Sequence, residues 1–259
     1  MTKYLILPFI SALILCYTPC RSQTQLDTCI ARLQSAECGD VFQARNIILL
    51  KYQKESIPKL ISLLKDTGYV KLVNTADLIY PGAKEFYGHG TIINYDIDWI
   101  SVRAAWVLEQ ITFQNFGYLT QIPISKEALL ALHQKDYQNY LNKGYHDINY
   151  QDTTTRGRLI ISRMLLAKKA LVWWKHNKVD WTKLKALKEA LASHNAQREN
   201  LAIYYLRQGD SFAAKNELAV RQSYFAQIKP LVVQIKNSKD SESDQAEYLL
   251  KEMESPDEK

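Results

Sequence analysis

Along most of this chain apolar residues recur every three or four positions, the spacing of one face of an α-helix. Phe42, Ala44, Ile47, Ile48, Leu50 and Tyr52 predict a helix beginning at Val41. Asp40 is its expected N-cap, with Gln43 three residues on, as in a capping box. Ile57, Leu60, Ile61, Leu63 and Leu64 predict a second helix, capped by Ser56, with Pro58 in its first turn. The stretch "DIDWISVRAAWVLEQITFQNFGY", from Asp96 to Tyr118, is apolar in nearly every direction. It predicts a helix over about 99–113, enclosed by neighbours, with Gly117 ending the segment. Further helices are expected from Ser125 to Gly144, over about 155–176, and over about 181–193 with Asp180 as cap. Others follow over 197–208, over 214–237 with Pro230 kinking or dividing it, and from Ser243 to about 253.

The helical period fails between Asp66 and Asp98. Gly68, Pro81, Gly82, Gly88 and Gly90 punctuate that stretch, and "GTIINYDI" reads as a short strand. So long a segment without helical period is unusual inside a domain and is often functional. We read 67–98 as an ordered insertion. Only nine glycines and seven prolines interrupt 259 residues, so the remaining elements should be long. The expected fold is all-α, a stacked helical bundle with that insertion.

The first 22 residues read as a secretory signal. Lys3 precedes the apolar "YLILPFISALILCY", and Ser22 offers a small residue for cleavage before Gln23. The apolar run is short for a span, which needs about 20 residues. The expected organisation is a signal over 1–22, a helical domain over 23–254 and a disordered tail over 255–259. The mature protein is then exported, periplasmic or secreted, and touches membrane only through the signal segment before cleavage; the alternative is a membrane-anchored chain, held by an uncleaved leader or a lipid-modified cysteine. Cleavage removes Lys3 and Arg21 and lowers the formal net charge from +6 to +4. Across the whole chain bases are mixed with acids, so no nucleic-acid partner is expected.

Two cysteines remain, Cys29 and Cys38. Export favours a disulfide between them. On one straight helix they would stand ~13 Å apart, beyond the ~7 Å a bridge tolerates. A bridge therefore needs a bend near Gln34–Ser35.

"SIPKLISLLKD" followed, after the insertion, by "DIDWISVRAAWVLEQI" resembles HEAT-type α-helical repeats. Pro58, Leu60, Leu64, Asp66, Val102, Arg103, Ala105 or Trp106, and Leu108 fall on the pattern. "IKPLVVQIKNSKDSESDQAEYLLKEM" is a weaker echo, through Pro230, Leu231, Asp240, Ala246 and Leu249–Leu250. The resemblance covers two units and departs from the family at the long insertion and over about 120–215. It implies a scaffold rather than an activity. It also implies that Arg103 pairs with Asp98 or Asp96, with Trp106 packed inside.

Candidate chemistry is sparse. His89 lies between two glycines, near Asp96 and Asp98, and could serve a hydrolase or lyase as an acid–base group. No nucleophile motif accompanies it. "NYDIDW" lacks the glycine and glutamate of an EF-hand loop. The other histidines are scattered, so neither metal nor cofactor is expected. "VWWKHNKVDW" could form an aromatic platform, although buried tryptophans with Lys175 and Lys178 facing outward fit the general rule better. Tyrosine is abundant, sixteen in all, and eight of them fall in 69–95 and 137–150. Tyrosine favours interfaces. The expected function is therefore binding of an unidentified protein partner through Tyr80, Phe86, Tyr87, His89 and Tyr95 of the insertion.

Overall fold

A computed structural model of the chain describes residues 18–75, 78–80, 91–93, 95–116, 153–208, 216–238 and 242–254. The expected signal core, the helix from Ser125 to Gly144, the tyrosine-rich 137–150, Asp240 and the tail 255–259 lie outside them. Nine helices stand among the described residues: α1 Thr18–Arg32, α2 Cys38–Lys51, α3 Gln53–Leu63, α4 Ile100–Thr112, α5 Thr153–Asn177, α6 Lys183–Leu191, α7 Ala196–Gln208, α8 Asn216–Ser238 and α9 Ser243–Glu254. The fold is all-α.

The helices pack as successive hairpins. α1 lies against α2, α3 against α4, α6 against α7, and α8 against α9. Between hairpins, α1 meets α3 and α2 meets α4, while α6 meets α8 and α7 meets α9. α4 touches α6 and joins the two halves, and α5 lies against α3. Amphipathic helices thus bury their apolar faces on one another, as in a helical repeat. One continuous apolar core runs from Leu26 of α1 to Leu250 of α9.

Several helix starts differ from expectation, and side-chain hydrogen bonds explain why. α2 begins at Cys38, so Asp40 lies in its first turn, where a carboxylate suits the positive end of the helix. Asp40 accepts from Ser35 Oγ at 3.2 Å, and Gln43 is held by Arg32 instead of closing a capping box. α3 begins at Gln53, which puts Ser56 inside the helix. Ser56 is buried and donates to the Gln53 carbonyl at 2.9 Å. Pro58 consequently falls in the second turn. Thr182, not Asp180, caps α6 by accepting from Lys185 N at 3.1 Å. Asp180 binds the Lys185 ammonium instead. Pro230 stays inside α8 and does not divide it.

α4 is buried along almost its whole length, and Trp106 is 5% exposed. Phe42 meets the Trp106 ring edge-on at 5.3 Å, and the Arg45 guanidinium lies over that ring at 4.3 Å. The helix stops at Thr112, as the expected span of about 99–113 requires, and Phe113 ends it in the left-handed conformation, φ 52°. That conformation is strained for a bulky residue. It is held by burial of the ring, by the Phe113 N–H donating to Glu109 O, and by Arg198 donating to Phe113 O at 3.1 Å.

The insertion contributes two paired strands rather than one. β1, Leu78–Ile79, and β2, Thr91–Ile92, run parallel, with Leu78 opposite Thr91. Its described ends are woven into the helical stack. Val73 accepts from Cys38 N and donates to Ala36 O, while Val70 N donates to Asp98 O at 2.7 Å. At Gly68 a Cβ would meet Asp66 Oδ1 and Ile100 Cδ1 at 2.8 Å each, so a larger residue there would make those two side-chain ends shift.

The expected disulfide is absent, and both Cys29 and Cys38 are free thiols. The chain does turn between them, with Gln34 N donating to Ala31 O and Ser35 N to Arg32 O. The two side chains nevertheless occupy different surroundings. Cys29 is buried in the α1 face and feels Arg32 and Lys51, whereas half-buried Cys38 feels Arg103 and Glu37. Burial pushes both thiols up, so neither is an activated nucleophile.

Candidate functional site

The most concentrated polar chemistry lies where the insertion meets α4. Asp98 is fully buried just ahead of the helix. Its Oδ1 accepts from Leu72 N at 2.8 Å and from Tyr80 Oη at 3.0 Å, and its Oδ2 accepts from Tyr69 Oη at 3.3 Å. Burial pushes its carboxyl up, and the donors with the nearby Arg103 charge pull the other way. A buried charge needs such partners to persist.

Arg103, on the first turn of α4, is also fully buried. The expected ion pair with Asp98 or Asp96 does not form. Arg103 instead donates to four backbone carbonyls. Nη1 reaches Leu33 O at 3.0 Å and Ser35 O at 2.6 Å, Nε reaches Ile97 O, and Nη2 reaches Val70 O. The fork of guanidinium donors matches this set, where an ammonium has fewer donors and no fixed plane. The carbonyls belong to the α1–α2 corner and to both ends of the insertion. One side chain therefore ties three stretches together. Desolvation pulls Arg103 down from its ordinary value, and the Asp98 charge is the largest opposing influence.

The residues expected to bind a partner divide into three groups. Tyr80 is 5% exposed and spends its hydroxyl on Asp98, so it belongs to the core rather than to a contact surface. Tyr95 is half-buried, with its ring 6.4 Å from that of Trp106. Phe86, Tyr87 and His89 lie outside the described residues. Asp96 Oδ1 accepts from Asp98 N at 3.0 Å. The tryptophan run is core: Trp174 and Trp181 are buried edge to face, and Lys175 and Lys178 face outward.

Sequence reasoning missed a second polar cluster beneath the other end of α4. Lys183, buried at the start of α6, donates to Gln110 O at 2.7 Å and Ile111 O at 3.3 Å. A cation there satisfies terminal carbonyls and suits the negative end of the helix. Its ammonium also lies over the Phe113 and Tyr205 rings, at 4.2 and 4.5 Å. Close by, Glu109 is 3% exposed and accepts from Phe116 N at 3.4 Å. Desolvation pushes its carboxyl up to about 8. Beside Lys183 opens a groove of about 450 Å³, lined by Leu50, Lys51, Lys54, Trp181, Tyr205 and Tyr224 among others. That volume is within the usual range for a ligand-sized hollow.

Among the described residues no three histidine, cysteine, aspartate or glutamate side chains converge on a metal position. The class that the coordinates define is an all-α stack of helical hairpins with a stitched-in insertion. No family model, curated protein or solved structure matches the chain.

Proposed function

We propose that the chain is an exported HEAT-like scaffold that binds another protein through the insertion 67–98. The observation that carries this reading is the anchoring of the insertion. Leu72 N and Tyr80 Oη are bound to Asp98, Val70 O is bound to Arg103, and Ile100 N donates to Gly68 O. Both described ends are fixed to the helices, which gives the insertion a rigid base. Pre-organisation of that kind lowers the entropy lost on binding. The helical hairpins support the HEAT-like reading. Leu60, Leu64, Val102, Arg103, Ala105 and Leu108 are all buried in α3–α4, and Ala246, Leu249 and Leu250 in α9.

Export rests on the leader pattern. The described side chains that tie α1 to the fold lie beyond the expected cleavage point. Gln25 accepts from Tyr52, Asp27 pairs with Lys59, and Leu26, Cys29 and Leu33 are buried. Cleavage before Gln23 keeps all five.

The test is recovery of a crosslinked partner from the native envelope with the mature chain and with Phe86→Ala/Tyr87→Ala/His89→Ala. We expect a partner whose yield falls at least tenfold in the triple variant, with the melting temperature unchanged. Equal yields would overturn the assignment to the insertion. The enzymatic alternative, His89 acting with Asp96 or Asp98, is weakened at Asp98, whose two oxygens are enclosed and already accept three hydrogen bonds.

A further inference from the structure

From Thr153 to Val179 the chain carries seven arginines and lysines and no aspartate or glutamate. The mature net charge is only +4, so the rest of the mature chain is net negative. The excess positive charge is confined to α5 and the residues that follow it directly.

Helical geometry sorts this segment into opposite faces. Arg163, Ala167, Ala170 and Trp174 recur at spacings of three and four and are buried, with the Arg163 guanidinium 4.3 Å from the Trp99 ring. The opposite face is exposed. Leu165 is 63% exposed and Val172, seven residues on, is 46% exposed. Residues seven apart lie within about 20° of each other on a helix, so these two form a ridge along the axis. Val179, just past the end of α5, is 82% exposed. Lys168 and Lys175 form a row about 60° to one side of Leu165, and Lys169 and His176 a row about 40° to the other. Lys168, Lys169, Lys175 and His176 are all exposed. None of the three lysines has an ion-pair partner among the described residues.

We propose that this face of α5 docks the protein on an anionic lipid bilayer. An apolar ridge with lysines on both flanks fits the boundary between acyl chains and phosphates. The leucine and valines enter the apolar layer, and the lysine stems lie along it while their ammonium groups reach the headgroups. The field of an anionic leaflet adds attraction for each cation. A second copy is a poor occupant, because two-fold pairing of this face sets lysine against lysine. Nucleic acid leaves the ridge without a partner, and the nearby tryptophans are packed inward. α5 does not cross the membrane in this reading, and no helix among the described residues is long and apolar enough to do so.

The test is co-sedimentation of the mature chain, starting at Gln23 so that the leader does not contribute, with vesicles of two compositions. One is pure phosphatidylcholine and the other contains 30 mole per cent phosphatidylglycerol as the probe. We expect binding to the anionic vesicles, at least tenfold weaker binding to the neutral ones, and weakening with salt. Reversing three charges, Lys168→Glu/Lys169→Glu/Lys175→Glu, should reduce partition about 100-fold, given the typical attraction per lysine. Leu165→Ser/Val172→Ser keeps every charge and should still lose at least tenfold. All three positions and the ridge are exposed, and unchanged circular dichroism and melting confirm folding. No binding to anionic vesicles, equal binding to both kinds, or full binding by the serine variant would overturn the proposal. So would a dimer in sedimentation velocity that the serine variant abolishes. None of these outcomes depends on the insertion, so this proposal and the partner-binding reading fail separately.

Discussion

Arg103→Met should cost about 3–5 kcal/mol in urea unfolding, the usual loss when one member of a buried polar set is removed. Methionine roughly keeps the volume but leaves the carbonyls of Leu33, Ser35, Ile97 and Val70 without their donor. Asp98 loses the cation that offsets its burial at the same time. A domain of this size has only about 5–15 kcal/mol in hand, so the variant should melt many degrees lower. Arg103→Lys should recover part of the loss, since an ammonium has three donors for four acceptors. A loss below about 1 kcal/mol for Arg103→Met would show that the backbone groups find other partners.

The second large effect is expected at Glu109, with the opposite sign. Its carboxyl is raised by burial to about 8, from an ordinary value of 4.5. Below 4.5 the group is protonated in both the folded and unfolded states and contributes no pH dependence. Between 4.5 and 8 the unfolded chain releases the proton and the folded chain keeps it. Stability therefore falls as pH rises through that window and levels off above 8. Glu109→Gln keeps an acceptor for Phe116 N–H and removes the titration. It should leave stability at pH 5 nearly unchanged and raise it at pH 9 by roughly 3–5 kcal/mol, following the size of the shift. Denaturant midpoints for both proteins across pH 5–9 check this. Parallel profiles would mean that water reaches the carboxylate.

Much of the helical architecture could be read from periodicity. α4 is legible because residues such as Val102, Trp106 and Ile111 leave no direction for solvent, and such a helix can only be interior. Helix starts were less legible. Asp40, Ser56 and Asp180 are good caps by residue type, yet each found a different hydrogen bond once tertiary neighbours were present. Arg103 shows the same limit more sharply. The resemblance to HEAT repeats implied an ion pair with Asp98 or Asp96, but the carbonyls of Leu33 and Ser35 are about 70 residues away in sequence and leave no trace in a local pattern. Lys183 was illegible for the same reason, since its carbonyl partners lie on α4. Tyr80 read as an interface residue by type and is in fact a donor inside the core. The acid-free run over 153–179 is different. It was fully visible, and averaging charge over the whole chain hid it.

The clamp formed by Arg103 also sets a timetable for assembly. The Leu33 and Ser35 carbonyls leave the ribosome about 70 residues ahead of the guanidinium that satisfies them. Until then the α1–α2 corner ends in unfilled acceptors, and the first hairpin gains little by closing early. The chain should stay extended and threadable until α4 emerges, then close its first four helices in one step. Pulse-labelled hydrogen exchange would show this as protection of the Leu72 and Val73 amides appearing together with that of α4; protection well before it would mean that the corner closes on its own.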